Sequence, residues 1–138
     1  MAKTKVFVSF DFDHDRELRK LIAAQAALPG SPFEIADHSL KEPARQSQWE
    51  SKARNAISRA DVFIVLLGPY TRSASGVKKE VAIAVALDKR RFQLIGYGHG
   101  RRDWALPGGG RAYRWNWPNL EKLLTPPRHP LVKWLLGD

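Results

Sequence analysis

Cysteine is absent from all 138 residues, which removes disulfides, thiolate metal sites and cysteine nucleophiles from consideration. Long apolar runs are missing as well. Segments such as Val62 to Leu67 fall far short of the about 20 residues needed to cross a bilayer. Met1-Ala2-Lys3-Thr4-Lys5 leads directly into a strand-like segment, so no signal peptide and no membrane span are expected, and a cytoplasmic location is. Acidic side chains are scarce in the last third: residues 1–88 carry 13 basic and 11 acidic groups, residues 89–138 carry 10 and 3. Most of the net charge of +9 therefore belongs to the C-terminal part. Such a patch attracts phosphate-bearing ligands, nucleic acid or an acidic partner, or simply solubilises a surface.

What is present is enough apolar material, 43% of the chain, for one ordinary core. Lys5 to Phe10 alternates and is rich in β-branched and aromatic residues, which predicts a first strand. Leu18, Leu21, Ile22 and Gln25 recur at helical spacing up to Leu28-Pro29-Gly30, and Phe33 to Ala36 reads as a short second strand. The polar loop Asp37 to Gln46 follows, a candidate lid or partner contact. Ser47-Gln48-Trp49-Glu50 fits a capping box opening a helix buried along Trp49, Ala53, Ala56, Ile57 and Ala60. Val62 to Leu67 is continuously apolar, as in a central parallel strand covered on both faces. Val77, Val81, Ala84 and Val85 predict a third helix beginning near Val77 and closed favourably by basic Lys89-Arg90-Arg91. Phe92 to Gly96 is a fourth strand, residues 97–111 a glycine-rich loop, Tyr113 to Trp117 a short edge strand, and Pro118-Asn119 opens a last helix through Leu124.

Regular alternation of strand and helix calls for a parallel sheet of about five strands with right-handed crossovers and helices on both faces, in the flavodoxin-like arrangement. The domain would span residues 1–124, with residues 125–138 a tail that docks on it or on a partner. In such sheets ligands sit beyond the carboxyl ends of the strands, where strand order reverses. That places Ser9 to Asp15, Gly68 to Tyr70 and the start of the third helix around one crevice.

Asp11, Asp13 and Asp15 with His14 could mimic part of the acidic Mg²⁺ pocket of a phosphorylation receiver, but Leu66-Leu67-Gly68-Pro69 supplies no acceptor aspartate. For Asp13 and Asp15 helix capping is the favoured role. Gly96-Tyr97-Gly98-His99-Gly100 lacks the helix that a dinucleotide fingerprint requires, so a mobile loop is expected there. His14, His38, His99 and His129 have no metal-ligand spacing, and no metal site is expected. The mixture of Trp104, Arg111, Tyr113, Arg114, Trp115 and Trp117 could stack bases, but edge-strand aromatics packed on a helix explain it better, so nucleic acid is an unlikely partner. Glu80, expected in the first turn of the third helix beside the crevice, is either an ordinary helix-start carboxylate or a functional acid.

Val6-Phe7-Val8-Ser9-Phe10-Asp11-Phe12-Asp13-His14-Asp15 closely resembles the opening of bacterial TIR-like proteins of the Thoeris ThsB type. The similarity continues through Asp37-His38-Ser39, the Trp49 helix, strand three and Val77-Lys78-Lys79-Glu80, spanning about residues 3–124. The resemblance implies an enzyme that cleaves the nicotinamide–ribose bond of NAD, as a glycohydrolase or an ADP-ribosyl cyclase, to give ADP-ribose or a cyclic ADP-ribose-type signal. NAD is then a substrate and no cofactor is needed. Self-assembly and a separate effector sensing the product, in antiphage defence, are implied too; a non-catalytic interaction module is the alternative. By position Glu80 matches the catalytic glutamate, while Phe10, Asp11, Asp37 and Ser39 match residues lining the nucleotide cleft, with Tyr70 beside them at the crevice. The sequence departs at Gly76, where many relatives carry a tryptophan four positions before the glutamate.

Overall fold

A computed structural model describes residues 3–36 and 46–126. In chain order these form β1 (Thr4–Ser9), α1 (Arg16–Ala26), β2 (Phe33–Ile35), α2 (Gln46–Arg59), β3 (Val62–Leu67), α3 (Ser75–Ala86), β4 (Arg91–Ile95), β5 (Ala112–Arg114) and α4 (Trp117–Leu124). All five strands are parallel in the order β2-β1-β3-β4-β5, the flavodoxin-like arrangement, with the reversal between β1 and β3. Asp37 and Ser39, the tail beyond Pro126 and most of the loop ahead of α2 lie outside the described residues. Among the described residues no helix is long and apolar enough to cross a membrane.

Strand alternation splits the core into two layers. Phe7, Phe63, Val65 and Leu67 face α2 and α3, where they meet Ile57, Val77, Val81 and Ala84. Val6, Val8, Val62, Ile64 and Leu66 face α1 and α4, packing on Leu18, Ile22, Leu120 and Leu124. Every β3 residue is consequently buried, which is why its sequence shows no alternation. Phe7 and Phe63, paired across the switch point, stack with ring centroids 5.6 Å apart.

Several local expectations need adjusting. Leu21 and Val85, which recur at helical spacing with their buried neighbours, are 46% and 44% exposed, because each helix meets the sheet along a narrower face than its apolar residues offer. Helix α2 starts at Gln46, which puts Ser47 inside the helix rather than at its cap. Lys89 closes α3 through its backbone, N–H donating to Ala84 O at 2.9 Å, but its ammonium reaches across to the carbonyls of Ser58 (3.2 Å) and Ala60 (2.7 Å), at the carboxyl end of α2. The last helix is capped as such helices usually are, with Asn116 Oδ1 accepting from Asn119 N–H at 2.9 Å. The aromatics of the edge do pack inward: Tyr113, Trp115 and Trp117 lie on the α1–α4 layer, and Trp115 Nε1–H donates to Gln25 of α1 at 2.8 Å.

The glycine-rich loop after β4 is tied down rather than free. Gln93, buried in the middle of β4, donates through Nε2 to the carbonyls of Leu106 (3.1 Å) and Gly110 (2.7 Å) and accepts from Leu106 N–H at 2.8 Å. A short 3₁₀ turn, Arg102–Trp104, buries Trp104 beneath that loop. Replacing Gln93 by Leu leaves three backbone groups of the loop without partners in a buried setting. We expect it to lower unfolding free energy by about 3 kcal/mol in urea titrations, with the loss concentrated in amide protection of residues 105–110.

Candidate active site at the carboxyl end of the sheet

The site begins with the phase of β1. Ser9 shares a face with Phe7, so its side chain meets α3 just where the strand ends. There Ser9 Oγ donates to Glu80 Oε1 at 2.7 Å, a bond joining residues 71 positions apart. Helix α3 begins at Ser75, two residues ahead of the expected start, so Glu80 stands in its second turn and not its first. Helix-terminal electrostatics therefore do not account for this acid; the tertiary contact with Ser9 does. Burial pushes the Glu80 carboxyl up from 4.5 to about 8, with the Ser9 hydroxyl pulling weakly the other way. Although the residue retains some exposure, the carboxyl end is enclosed by α3 and β1, which is why desolvation dominates.

Of the other sequence-derived candidates, Phe10 is buried at 8% exposure on the opposite face from Ser9, packed on Phe12 with centroids 5.9 Å apart. Asp11 is also buried, and it organises the loop: Oδ1 accepts from Asp13 N–H at 3.1 Å and Oδ2 contacts His14 Nδ1 at 2.6 Å. His14 in turn lies against Tyr70, ring centroids 4.5 Å apart, with Tyr70 56% exposed at the rim. The structure thus gathers Asp11, His14 and Tyr70 into one contact chain, and Glu80 with Ser9 into another, on the two sides of the β1–α1 loop. Asp37 and Ser39 lie outside the described residues.

Gly76 is covered from α2. A side chain begun at Gly76 would point at Trp49, whose Cζ2 lies 3.8 Å from the Cβ position. Lys79 Nζ sits 5.8 Å over the Trp49 ring and 3.6 Å from the Glu50 carboxylate. An indole therefore stands beside the turn that precedes Glu80, supplied by another helix.

Asp15 does not do what its position suggests. It occupies the N-cap of α1, yet its side chain makes no capping bond; it is 1% exposed and accepts from Tyr97 Oη–H at 2.7 Å. Its carboxyl lies over Gly68, where any Cβ would collide with both oxygens. Burial raises its pKa, against the lowering influence of the Tyr97 bond; Asp11 raises it further, while His14 and Thr71 favour the charged form. The sequence places Ser9 and His14 near the crevice and Tyr97 in a loop, but assigns none of the three a role at the site. The Phe7–Ser9 phase was a usable signal for the first, whereas nothing local points to the third. Among the described residues no group of three His, Asp or Glu side chains is placed to hold a metal ion.

Residues 7–98 match the family model described as Thoeris protein ThsB, TIR-like domain. No curated protein matches the chain.

Two stability tests follow from this geometry. Glu80 keeps its proton to about 8 in the folded chain but only to about 4.5 when unfolded, so stability falls as pH rises through that window. Glu80→Gln should flatten this dependence, gaining on the order of 3 kcal/mol relative to the parent between pH 5 and pH 9 in denaturant titrations. Gly68→Ala should cost ~1–3 kcal/mol at neutral pH, a penalty relieved in the Asp15→Ala background if the collision with the carboxyl is its cause.

Proposed function

The chain belongs to the TIR-like domain family of the Thoeris protein ThsB, and from that premise we propose that it cleaves the nicotinamide–ribose bond of NAD with Glu80 as the catalytic carboxylate. The observation that carries this reading is the enclosed Glu80 carboxyl, held by Ser9 at the switch point of the sheet, where ligands of such folds bind. In the reaction the C–N bond between the ribose C1′ and the pyridinium breaks, and its electron pair leaves with nicotinamide as a neutral base. No general acid is required. Positive charge grows on the ribose ring, and an ionised carboxylate beside it lowers that barrier. Capture of C1′ by water gives ADP-ribose; capture by a nucleophile within the same molecule gives a cyclic ADP-ribose-type product. Such a product fits a signal read by a separate effector in antiphage defence, made by a self-assembled form of the chain.

The elevated pKa fits this chemistry in a specific way. Free protein at neutral pH holds Glu80 largely protonated, and a cationic pyridinium entering the cleft favours its ionised form. Ser9 acts as a positioning residue that supports the charged state through its hydroxyl. Trp49, beside Gly76, offers an aromatic face on the same side of the sheet and supports a role in seating the substrate. The basic edge around Arg111 and Arg114 supports the alternative of a partner-binding module, since Arg114 is exposed on the terminal strand β5 and Arg111 lies over the Tyr113 ring at 5.1 Å.

Concentrated protein incubated with NAD should release nicotinamide, and Glu80→Gln should reduce the rate at least a hundredfold. With the parent, kcat/KM should climb with pH and level off near 8; Ser9→Ala should move that inflection upward, because it removes a hydrogen bond that favours ionisation. Absence of nicotinamide release, or equal release by Glu80→Gln, defeats the enzyme reading. Capture of a partner that survives Glu80→Gln and fails on charge reversal of Arg111 and Arg114 would favour the module instead.

A further inference from the structure

The terminal strand β5 carries charge that the fold leaves unneutralised. Arg111 and Arg114 stand at its two ends, about 10 Å apart at the usual rise of a strand, and both are exposed. Arg102 lies alongside the strand, and Arg91 stands near its amino end, where β4 begins. Among the described residues the ion pairs are His14–Asp11, Lys79–Glu50 and Arg101–Asp103, so none of these four arginines meets a carboxylate. From Lys89 to Pro126 the sequence supplies only Asp103 and Glu121 as acids, and Asp103 is engaged by Arg101.

The same strand is closed to the usual partner of a sheet edge. Gln93 N–H donates to Arg111 O at 2.9 Å, so by alternation the carbonyls of Ala112 and Arg114 point away from β4. Both are already covered: Arg102 Nη1 donates to Ala112 O and Asn119 Nδ2 to Arg114 O, each at 2.7 Å. An extended peptide cannot add there as a further strand without displacing them. The edge also offers a protein partner no aromatic anchor. Tyr113, Trp115 and Trp117 pack into the α1–α4 layer, Arg111 lies over the Tyr113 ring at 5.1 Å, and the Trp115 N–H is engaged by Gln25. That packing removes stacking as a mode of nucleic-acid binding, but it leaves the arginines in place. Two of them are tied to main-chain carbonyls. Arg102 holds Ala112 O, while Arg91 donates through Nε to Gly108 O at 2.6 Å and through Nη1 to Lys89 O at 3.0 Å. These bonds fix both guanidinium groups and leave some of their five donors unused, so little freedom is lost when an anion is met.

We propose that the β5 edge binds the phosphate backbone of duplex nucleic acid without reading its bases. Protein–protein interfaces concentrate affinity in buried aromatic anchors and are depleted of charge at their centre, and this edge has the reverse make-up. A phosphate polymer needs no more than a line of cations, because its affinity comes from the counterions released on contact. Arginine holds every cationic position from Arg90 to Arg114, and its planar fork pairs with two phosphate oxygens at once. A duplex rather than a single strand follows from the buried rings, since single-strand sites of this unselective kind stack bases on aromatic side chains. Two strands, β3 and β4, separate the edge from β1 and the Ser9–Glu80 pair, so the proposal stands whether or not NAD is cleaved there.

The test is fluorescence anisotropy of a labelled random-sequence duplex of about 20 base pairs titrated with the full chain. Affinity should fall about a hundredfold as salt rises from about 50 to about 200 mM, a logarithmic slope of about −3.5 for roughly four phosphate contacts. Arg111→Ala combined with Arg114→Ala, both at exposed positions, should weaken binding at least tenfold at the lower salt and reduce the slope to about −2. Lys20→Ala combined with Lys52→Ala removes the same charge from exposed positions on α1 and α2 and should leave affinity and slope close to the parent's. A single strand of equal length should bind severalfold more weakly, poly-glutamate of equal charge at least tenfold more weakly, and Glu80→Gln should bind as the parent does. The proposal is overturned by no binding at low salt, by affinity that survives the double arginine change, or by equal losses from the lysine pair, which would make net charge and not this edge responsible. It is also overturned if poly-glutamate binds as tightly, which would point to an acidic protein surface, or if the single strand binds more tightly than the duplex. Loss of binding in Glu80→Gln would place the nucleic acid in the other cleft and overturn it as well.

Discussion

The parallel pairing of β1 with β3, Val6 to Ser9 against Val62 to Val65, is the constraint from which the rest of the molecule takes its geometry. Both strands are buried on two faces, so neither can slip by one residue without exchanging its two sets of side chains between the layers. The stacked pair Phe7 and Phe63 locks that register from within. With the register fixed, Ser9 must end β1 on the α3 side and the loop that follows must turn towards α1. Everything chemically interesting hangs from that divergence.

Two carboxyls on either side of the loop have been taken out of water by different means. Glu80 is enclosed by its own helix and β1, and among the described residues it meets the Ser9 hydroxyl. Asp15 is enclosed by tertiary structure reaching from β3 and β4, and meets a phenol whose own ionisation is suppressed by burial and by the neighbouring acid. Both are held towards the protonated form, because desolvation outweighs the hydrogen bonds that favour charge. A chain with a strong net positive charge thus keeps its most perturbed acids away from its basic side chains: the lysine nearest Glu80 in sequence, Lys79, is directed to Trp49 and Glu50 instead.

Much of this was legible in the sequence because it rests on periodicity. The unbroken apolar stretch of β3, the stripe of α2 and the alternation of strand and helix are consequences of burial, and burial leaves a repeat. The nearness of Glu80 to the end of β1 was legible from the order of strands and helices, although its helix starts earlier because Ser75 and Gly76 join the first turn. Asp15 was misread for an instructive reason. An aspartate preceding an amphipathic run is the ordinary cap signal, and that signal is local, whereas the phenol that claims the side chain comes from Tyr97, 82 positions away. Lys89 shows the same limit: its charge suits the end of its own helix, but the free carbonyls within reach of its amine belong to α2. Long-range pairing of single polar groups has no period, so it leaves no trace in one sequence.

The left-handed backbone at Tyr97 has an evolutionary corollary. A residue there is tolerated in that conformation because its phenol has Asp15 to hold, and Asp15 fits because residue 68 has no side chain. Loss of any one of the three removes the reason for the other two. Across descendants of this chain, positions 15, 68 and 97 should drift as a linked trio: a lineage that trades the aspartate should soon relax the turn, and a lineage that preserves the glycine advertises that the carboxyl beneath it is still in use.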